Sequence, residues 1–245
     1  MTKPQEIEFH VGHYGDGTGA RGIVDEVQYA RKFIKRIYDI CMSNGVPSTY
    51  YEDKISKNQT QNINHLIIHH NADTNGFIVS GHLNSSGSVT DQGIGAEVLY
   101  YDQVTVAQKV VEAICNASGL KNRGAKKRTD LGVLVRTYEP AILIEFGFVT
   151  SKKDVELMDK HFQAICQAVA KVLAAHIGFT IIQVEKDDDK MKFTNEATKG
   201  AVRDLIKQAV DKKLIDKSWL DKFDAGTMTN GDYEGLKLII AQRSN

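Results

Sequence analysis

The sequence predicts an α/β fold: a twisted, mainly parallel sheet flanked by helices, followed by a small all-α C-terminal domain. Three observations carry this. Short apolar runs alternate with amphipathic helical patterns over the first 180 residues; a charged run, Glu185 to Lys190, interrupts them; beyond it only helical periodicity continues. Strands alternating with helices imply parallel pairing with both sheet faces covered, and the loops at the strand C-termini then form the site.

The elements follow in order. Ile7 to Val11 reads as a strand, and a glycine-rich loop leads into a helix from about Glu26 to Met42, with Val27, Ala30, Phe33, Ile34 and Ile37 on one face. Strands are expected at Ser48 to Tyr51, Leu66 to His69 and Ala96 to Tyr101. Between Asn71 and Gly93 a long polar loop is expected, carrying a small apolar insert, Phe77 to Val79, and His82. Val104 to Ser118 is a helix by the spacing of Val106, Val110, Val111 and Ile114. Strands at Gly132 to Arg136 and Ala141 to Phe146 precede one long helix, Lys153 to Ile177.

These elements delimit a catalytic domain over residues 1–180, a charged linker over 181–190 and a helical domain over 191–245. The linker composition cannot bury itself. In the last domain, Asn195 is placed to cap a helix bearing Val202, Leu205, Ile206, Ala209 and Val210. A shorter helix spans Trp219 to Phe223, and a third, Asp232 to Gln242, follows the capping-box-like Thr229-Asn-Gly-Asp232.

Composition excludes several function classes. Lys plus Arg and Asp plus Glu are equal at 31 each, which leaves no electrostatic case for nucleic acid or an anionic membrane as the main partner. The three cysteines, Cys41, Cys115 and Cys166, are odd in number and far apart, and read as buried apolar residues rather than a disulfide framework. The first residues hold no apolar signal core, and no apolar run is long enough to span a bilayer. The expectation is synthesis in a cytoplasm without a signal peptide, and action on a cell wall only after release.

Four polar residues stand at predicted element ends: His13, Glu26, His69 and Glu145. Two imidazoles and a carboxylate can hold zinc with one position open, and a further carboxylate can serve as a base for water. Glu145 is the strongest single signal, because it ends the apolar run Ala141 to Ile144, where an ionised carboxylate is costly unless it is used or paired. A salt bridge, for instance to Arg136, is the bland alternative. Each histidine taken alone is more often structural or exposed than a ligand.

The motifs around these residues carry a resemblance. Gly12-His13-Tyr-Gly15, Glu26 opening a helix, Ile68-His69-His70-Asn71, Gly95 to Tyr101 and Pro140 to Phe148 are collinear. Together they resemble the zinc-dependent N-acetylmuramoyl-L-alanine amidases, and among them the endolysins of bacteriophages of Gram-positive hosts. The similarity covers roughly residues 5 to 178. It implies zinc held by His13, Glu26 and His69, with Glu145 as the catalytic carboxylate; His69 is preferred over His70 because the family's ligand stands two residues before the asparagine, here Asn71. It also implies cleavage of the amide joining N-acetylmuramic acid to L-alanine in peptidoglycan, for lysis of the host cell.

Other readings stay open at this point. A zinc peptidase or carboxypeptidase on a related sheet shares the same donor chemistry, and a wall-binding protein without catalysis keeps the same fold. Gly17-Thr-Gly19-Ala-Arg-Gly22 is a literal GxGxxG, the sign of a dinucleotide-binding protein. The expected acidic partner about twenty residues on is missing, however, and Asp16 and Asp25 flank the glycines. For the C-terminal domain, binding to the Gram-positive cell wall and self-association through residues 191–245 are the two expectations. Phe193, Trp219 and Tyr233 are available there to sugars or to core packing.

Overall fold

A computed structural model describes residues 4–181 and 191–243, which divide into two compact units, 1–181 and 182–245. The charged linker expected over 181–190 lies, except for Ile181, outside the described residues.

The first unit is built on six strands: β1 (Glu6–Val11), β2 (Ser48–Tyr51), β3 (Gly76–Asn84), β4 (Ala96–Tyr100), β5 (Asn122–Lys127) and β6 (Ala141–Phe148). Their order in the sheet is β2-β1-β3-β6-β4-β5. All pairings are parallel except β4 with β6, so the sheet is mainly parallel, as expected from the sequence. Six helices accompany it: α1 (Glu26–Ser43), α2 (Gln59–His70), α3 (Val104–Ser118), α4 (Gly132–Val135), α5 (Lys152–Lys160) and α6 (Phe162–Ile177).

Strand alternation sorts side chains between two faces. Ile7, Phe9 and Val11 of β1 and Phe77, Val79 and Leu83 of β3 point into the main core with α1, α3 and α6. On the other face, Ile78, Leu99, Ala141 and Leu143 pack with Leu66 of α2 and with Val133 and Leu134 of α4. The same face carries Glu8, His10, Ser80, His82 and Glu145, whose sheet positions alternate with the main-core residues.

Several expected elements are corrected. Leu66 to His69 is not a strand but the last turn of α2, which Asn58 caps by accepting from the Gln61 N–H. Its buried residues Asn62, Leu66 and His70 recur every four positions, the spacing of one helix face. Gly132 to Arg136 is likewise the short helix α4, and the Lys153 to Ile177 helix is broken at His161 into α5 and α6. The expected loop after Asn71 contains β3, which pairs with both β1 and β6. Gly81 permits this, since a Cβ there would lie 2.2 Å from Ile34 of α1. β5 has no apolar pattern and forms by pairing with β4 at the sheet edge.

The main core holds β6 in place beneath the site. Phe146 is fully buried and stacks on Phe33 of α1, with ring centroids 4.5 Å apart and planes 13° from parallel. Phe146→Ala removes this contact next to Glu145, and is expected to lower the unfolding free energy by about 3–5 kcal/mol in urea titrations. A loss below 1 kcal/mol would mean that this ring pair does not anchor the strand.

The second unit contains α7 (Glu196–Asp211), α8 (Ser218–Asp224) and α9 (Asn230–Arg243). Asn195 accepts from the Thr198 N–H to cap α7. At α9, Thr229 Oγ1 accepts from the Asp232 N–H while Asp232 accepts from the Thr229 N–H, a reciprocal capping box. The core is Ile206, Ala209, Ile215, Phe223, Met228 and Leu236, and Phe193, Trp219 and Tyr233 all pack against it. Their main use is therefore packing. No helix among the described residues is long and apolar enough to cross a membrane.

Candidate active site

The site lies at the C-terminal ends of β1, β3 and β6. His13 follows β1 in a left-handed backbone conformation, φ 65°, which is uncommon for a side-chain-bearing residue and is tolerated by few types besides Asn, Asp and His. Glu26 is the first residue of α1, whose cap is the neighbouring Asp25 accepting from the Gln28 N–H. His82 lies on β3, and Glu145 lies on β6 in register with it.

Three of these side chains converge. His13 Nε2 is 3.0 Å and His82 Nδ1 is 2.9 Å from the same oxygen, Glu26 Oε1. The ligand atoms of His13, Glu26 and His82 all lie within 4.8 Å of one another. The other Glu26 oxygen accepts from the Ala20 N–H at 2.6 Å, which fixes the carboxylate's orientation. On the far side of His13, Nδ1–H donates to Gln59 Oε1 at 3.1 Å, so a protonated His13 donates Nε2–H to Glu26 and a neutral one turns its Nε2 lone pair to the same place.

Expectation and structure part over His69. It sits on α2 with its ring stacked on Tyr51, centroids 3.9 Å apart, and it is absent from the groups of metal-competent side chains among the described residues. The strand end that was to deliver it to the site is a helix end, so His69 does not join His13 and Glu26. His82 does. A usable signal was present: His82 also stands two residues before an asparagine, Asn84, and follows the apolar run Phe77 to Val79.

Electrostatics within the group are strongly coupled. Burial pushes the Glu26 carboxyl up, but the hydrogen bonds and charges of His13 and His82 outweigh it and hold it well below the usual carboxylate range. Burial lowers both histidines; contact with Glu26 reverses this for His13, which is raised, and not for His82, which stays lowered.

Glu145 behaves differently. Its Oε2 is buried with no hydrogen-bond partner. Burial, reinforced by the charges of Glu26 and Glu97 and opposed by Arg128, pushes its carboxyl up to about 8. Glu97, its Cα neighbour on β4, is held by Arg123 and Lys126, whose charges are therefore already engaged. A carboxyl whose buried oxygen lacks a hydrogen-bond partner, beside a histidine–carboxylate cluster, is poised to exchange protons near neutrality.

The glycines of the first loop are explained by this packing. A Cβ on Gly12 would lie 2.1 Å from the His82 imidazole, and one on Gly19 would lie 2.7 Å from Glu26 Oε2. Gly22 packs as closely on the backbone of Val149. The N-terminus of α1 is filled by Asp25 and Glu26, so the GxGxxG spacing serves the site's own carboxylates rather than a pyrophosphate.

The donor set of two imidazoles and one carboxylate fits a zinc ion, with both ring nitrogens already turned to a single carboxylate oxygen.

Comparison with known proteins identifies the family. Residues 7–175 match the family model described as N-acetylmuramoyl-L-alanine amidase. Two proteins of Clostridium perfringens are similar. An uncharacterized 38.4 kDa protein is 26% identical over 193 residues, 70% of this chain and 54% of that protein. The uncharacterized protein CPE1502 is 26% identical over 211 residues, 82% of this chain and 61% of its own length. The chain thus spans little more than half the length of the curated relatives it matches. Among solved structures, the catalytic domain of the CD27L endolysin targeting Clostridia difficile is 27% identical, with a TM-score of 0.62 over 73% of this chain and 99% of that one. The amidase AmiC2 of Nostoc punctiforme shares the fold, with a TM-score of 0.57 at 24% identity over 72% of this chain and 99% of that one. With more than half of its residues matched by the family model, the chain belongs to the N-acetylmuramoyl-L-alanine amidase family.

Proposed function

We propose that this protein is a zinc-dependent endolysin that hydrolyses the amide between N-acetylmuramic acid and the L-alanine of the stem peptide. The observation that carries this reading is the convergence of His13 Nε2 and His82 Nδ1 on Glu26 Oε1, in a chain of this family. Zinc held by His13, Glu26 and His82 supplies a Lewis acid for the amide carbonyl and for water. Glu145, with its unpartnered oxygen, takes a proton from the attacking water and hands it to the departing amine of L-alanine. Gln59 and Ala20 keep His13 and Glu26 oriented through the cycle.

The endolysin role draws on the likeness to the CD27L catalytic domain. In this reading the C-terminal helical unit directs the enzyme to the Gram-positive wall or joins copies of it. Its small core, six buried side chains among the described residues, makes self-association physically attractive.

Purified cell walls incubated with the protein are expected to release new L-alanine amines without new reducing sugar ends. Dialysis against a chelator is expected to stop this, and added zinc to restore it. Reducing ends instead of amines would make the protein a glycosidase, and full activity after zinc removal would refute the metal assignment.

A further inference from the structure

A second cluster lies on the same sheet face at the other end of the strands. Glu8 of β1, His70 at the end of α2 and Glu139 just before β6 are all buried, and their ligand atoms lie within 4.8 Å of one another. Glu8 and His82 are separated by four residues in strand register, Glu8 being opposite Ile78. That spacing places the cluster about 13 Å along the strands from the amidase site.

The local hydrogen bonding is incomplete in a specific way. Glu139 is only 5% exposed; its Oε1 accepts from the Gly76 N–H at 2.6 Å, and its Oε2 has no partner. Glu8 meets His70 Nδ1 through Oε2, while its Oε1 lies over Gly76, where a Cβ would stand 2.6 Å away. His70 Nε2 contacts His10 Nδ1 at 2.8 Å. A cation would take the place of the proton shared by His70 Nδ1 and Glu8 Oε2: His70 then keeps its other proton on Nε2, donated to His10, and turns its Nδ1 lone pair to the ion. The exposed Asp73, which with Glu6 and Glu8 forms an adjoining group, offers an entry path and a further oxygen.

We infer that Glu8, His70 and Glu139 form a second, structural site for a divalent transition-metal ion, zinc or manganese, which ties α2 and the start of β6 to β1. One imidazole with two carboxylates suits these ions, whereas calcium is bound by oxygen alone. The ion neutralises carboxylates that otherwise crowd one another in a buried space.

The test is metal content per chain in full-length protein, stripped and then dialysed against zinc or, separately, manganese. Wild type is expected to hold two ions of zinc. His13→Ala/His82→Ala is expected to keep one, and its melting temperature to rise when that ion is added. Glu8→Gln/Glu139→Gln is expected to keep one ion and wall-lytic activity, because its amidase site is untouched. If wild type holds one ion and His13→Ala/His82→Ala none, protons and not a metal hold this cluster, and the inference falls. That result would leave the amidase reading intact. One ion in both proteins would instead support this site and remove the metal from the amidase site. Should the double glutamine variant fail to fold, the His13→Ala/His82→Ala measurement alone decides the matter.

Discussion

Glu145→Gln is expected to reduce amine release from purified cell walls by about 10²–10⁴-fold while zinc stays bound. The amide side chain keeps the volume and one oxygen of the carboxyl but cannot accept and return a proton. Glu145 is not among the three converging donors, so the metal site retains its full set. Lost zinc in this variant would assign Glu145 to metal binding, and near-normal lysis would remove it from the chemistry.

The same substitution carries a pH signature in metal-free protein. The Glu145 carboxyl stands at about 8 in the fold and at about 4.3 in an unfolded chain, so between these values the folded state binds the extra proton. Stability therefore falls as pH rises through that window, and its full contribution is present only below the unfolded value. Glu145→Gln removes the titration. Thermal melts of the metal-free proteins should show the variant gaining on wild type from pH 5 to pH 8; parallel curves would mean that Oε2 is solvated in solution.

How much of this was legible in the chain depends on how strongly each segment's pattern was its own. Helix α1 declared itself through Val27, Ala30, Phe33, Ile34 and Ile37, and all five are buried. β6 was legible because it is almost continuously apolar, the mark of a strand covered on both faces, and β1 because Ile7, Phe9 and Val11 alternate with Glu8 and His10. The same rule misled at Leu66 to Ile68. Three consecutive apolar residues read as a strand when only that window is considered, yet Ile68 is exposed and the burial of Asn62, Leu66 and His70 is helical. β3 was obscured for the opposite reason. Gly76, Ser80 and Gly81 break up its apolar pattern, and the two glycines are there because Glu8 and Ile34 occupy the space a larger side chain would need.

The site inherited these errors unevenly. His13 and Glu26 are local features, one after a clear strand and the other opening a clear helix, and sequence alone could place them together. The third member depends on which strand lies between β1 and β6, and the local signal, a histidine two residues before an asparagine, fits His69 as well as His82. With β3 unseen, His69 took its place, because it too precedes an asparagine by two residues. The second cluster was hidden for a related reason: Glu8, His70 and Glu139 come from three distant segments, and only the fold brings them together.

His82→Ala should therefore separate sequence from structure most sharply. Removing its Nδ1 leaves one imidazole and one carboxylate, and zinc affinity at the amidase site is expected to fall by more than about 10²-fold, beyond what loss of an outer-shell partner costs. Wall lysis should disappear with it at low zinc and return only partly at high zinc. His69→Ala removes a ring stacked on Tyr51 at the protein's edge; that contact is worth at most about 1.5 kcal/mol of stability, and zinc binding and lysis are expected to be retained. Isothermal titration with zinc on the two variants, followed by amine release from cell walls, makes the comparison direct. If His69→Ala abolishes metal binding while His82→Ala leaves it intact, helix α2 must turn its last residues toward the site in solution. Retention of both activities in His82→Ala would show that His13 and Glu26 hold the ion without it. Loss confined to His82→Ala ties the metal to β3, and with it the register that sets Glu145 opposite His82.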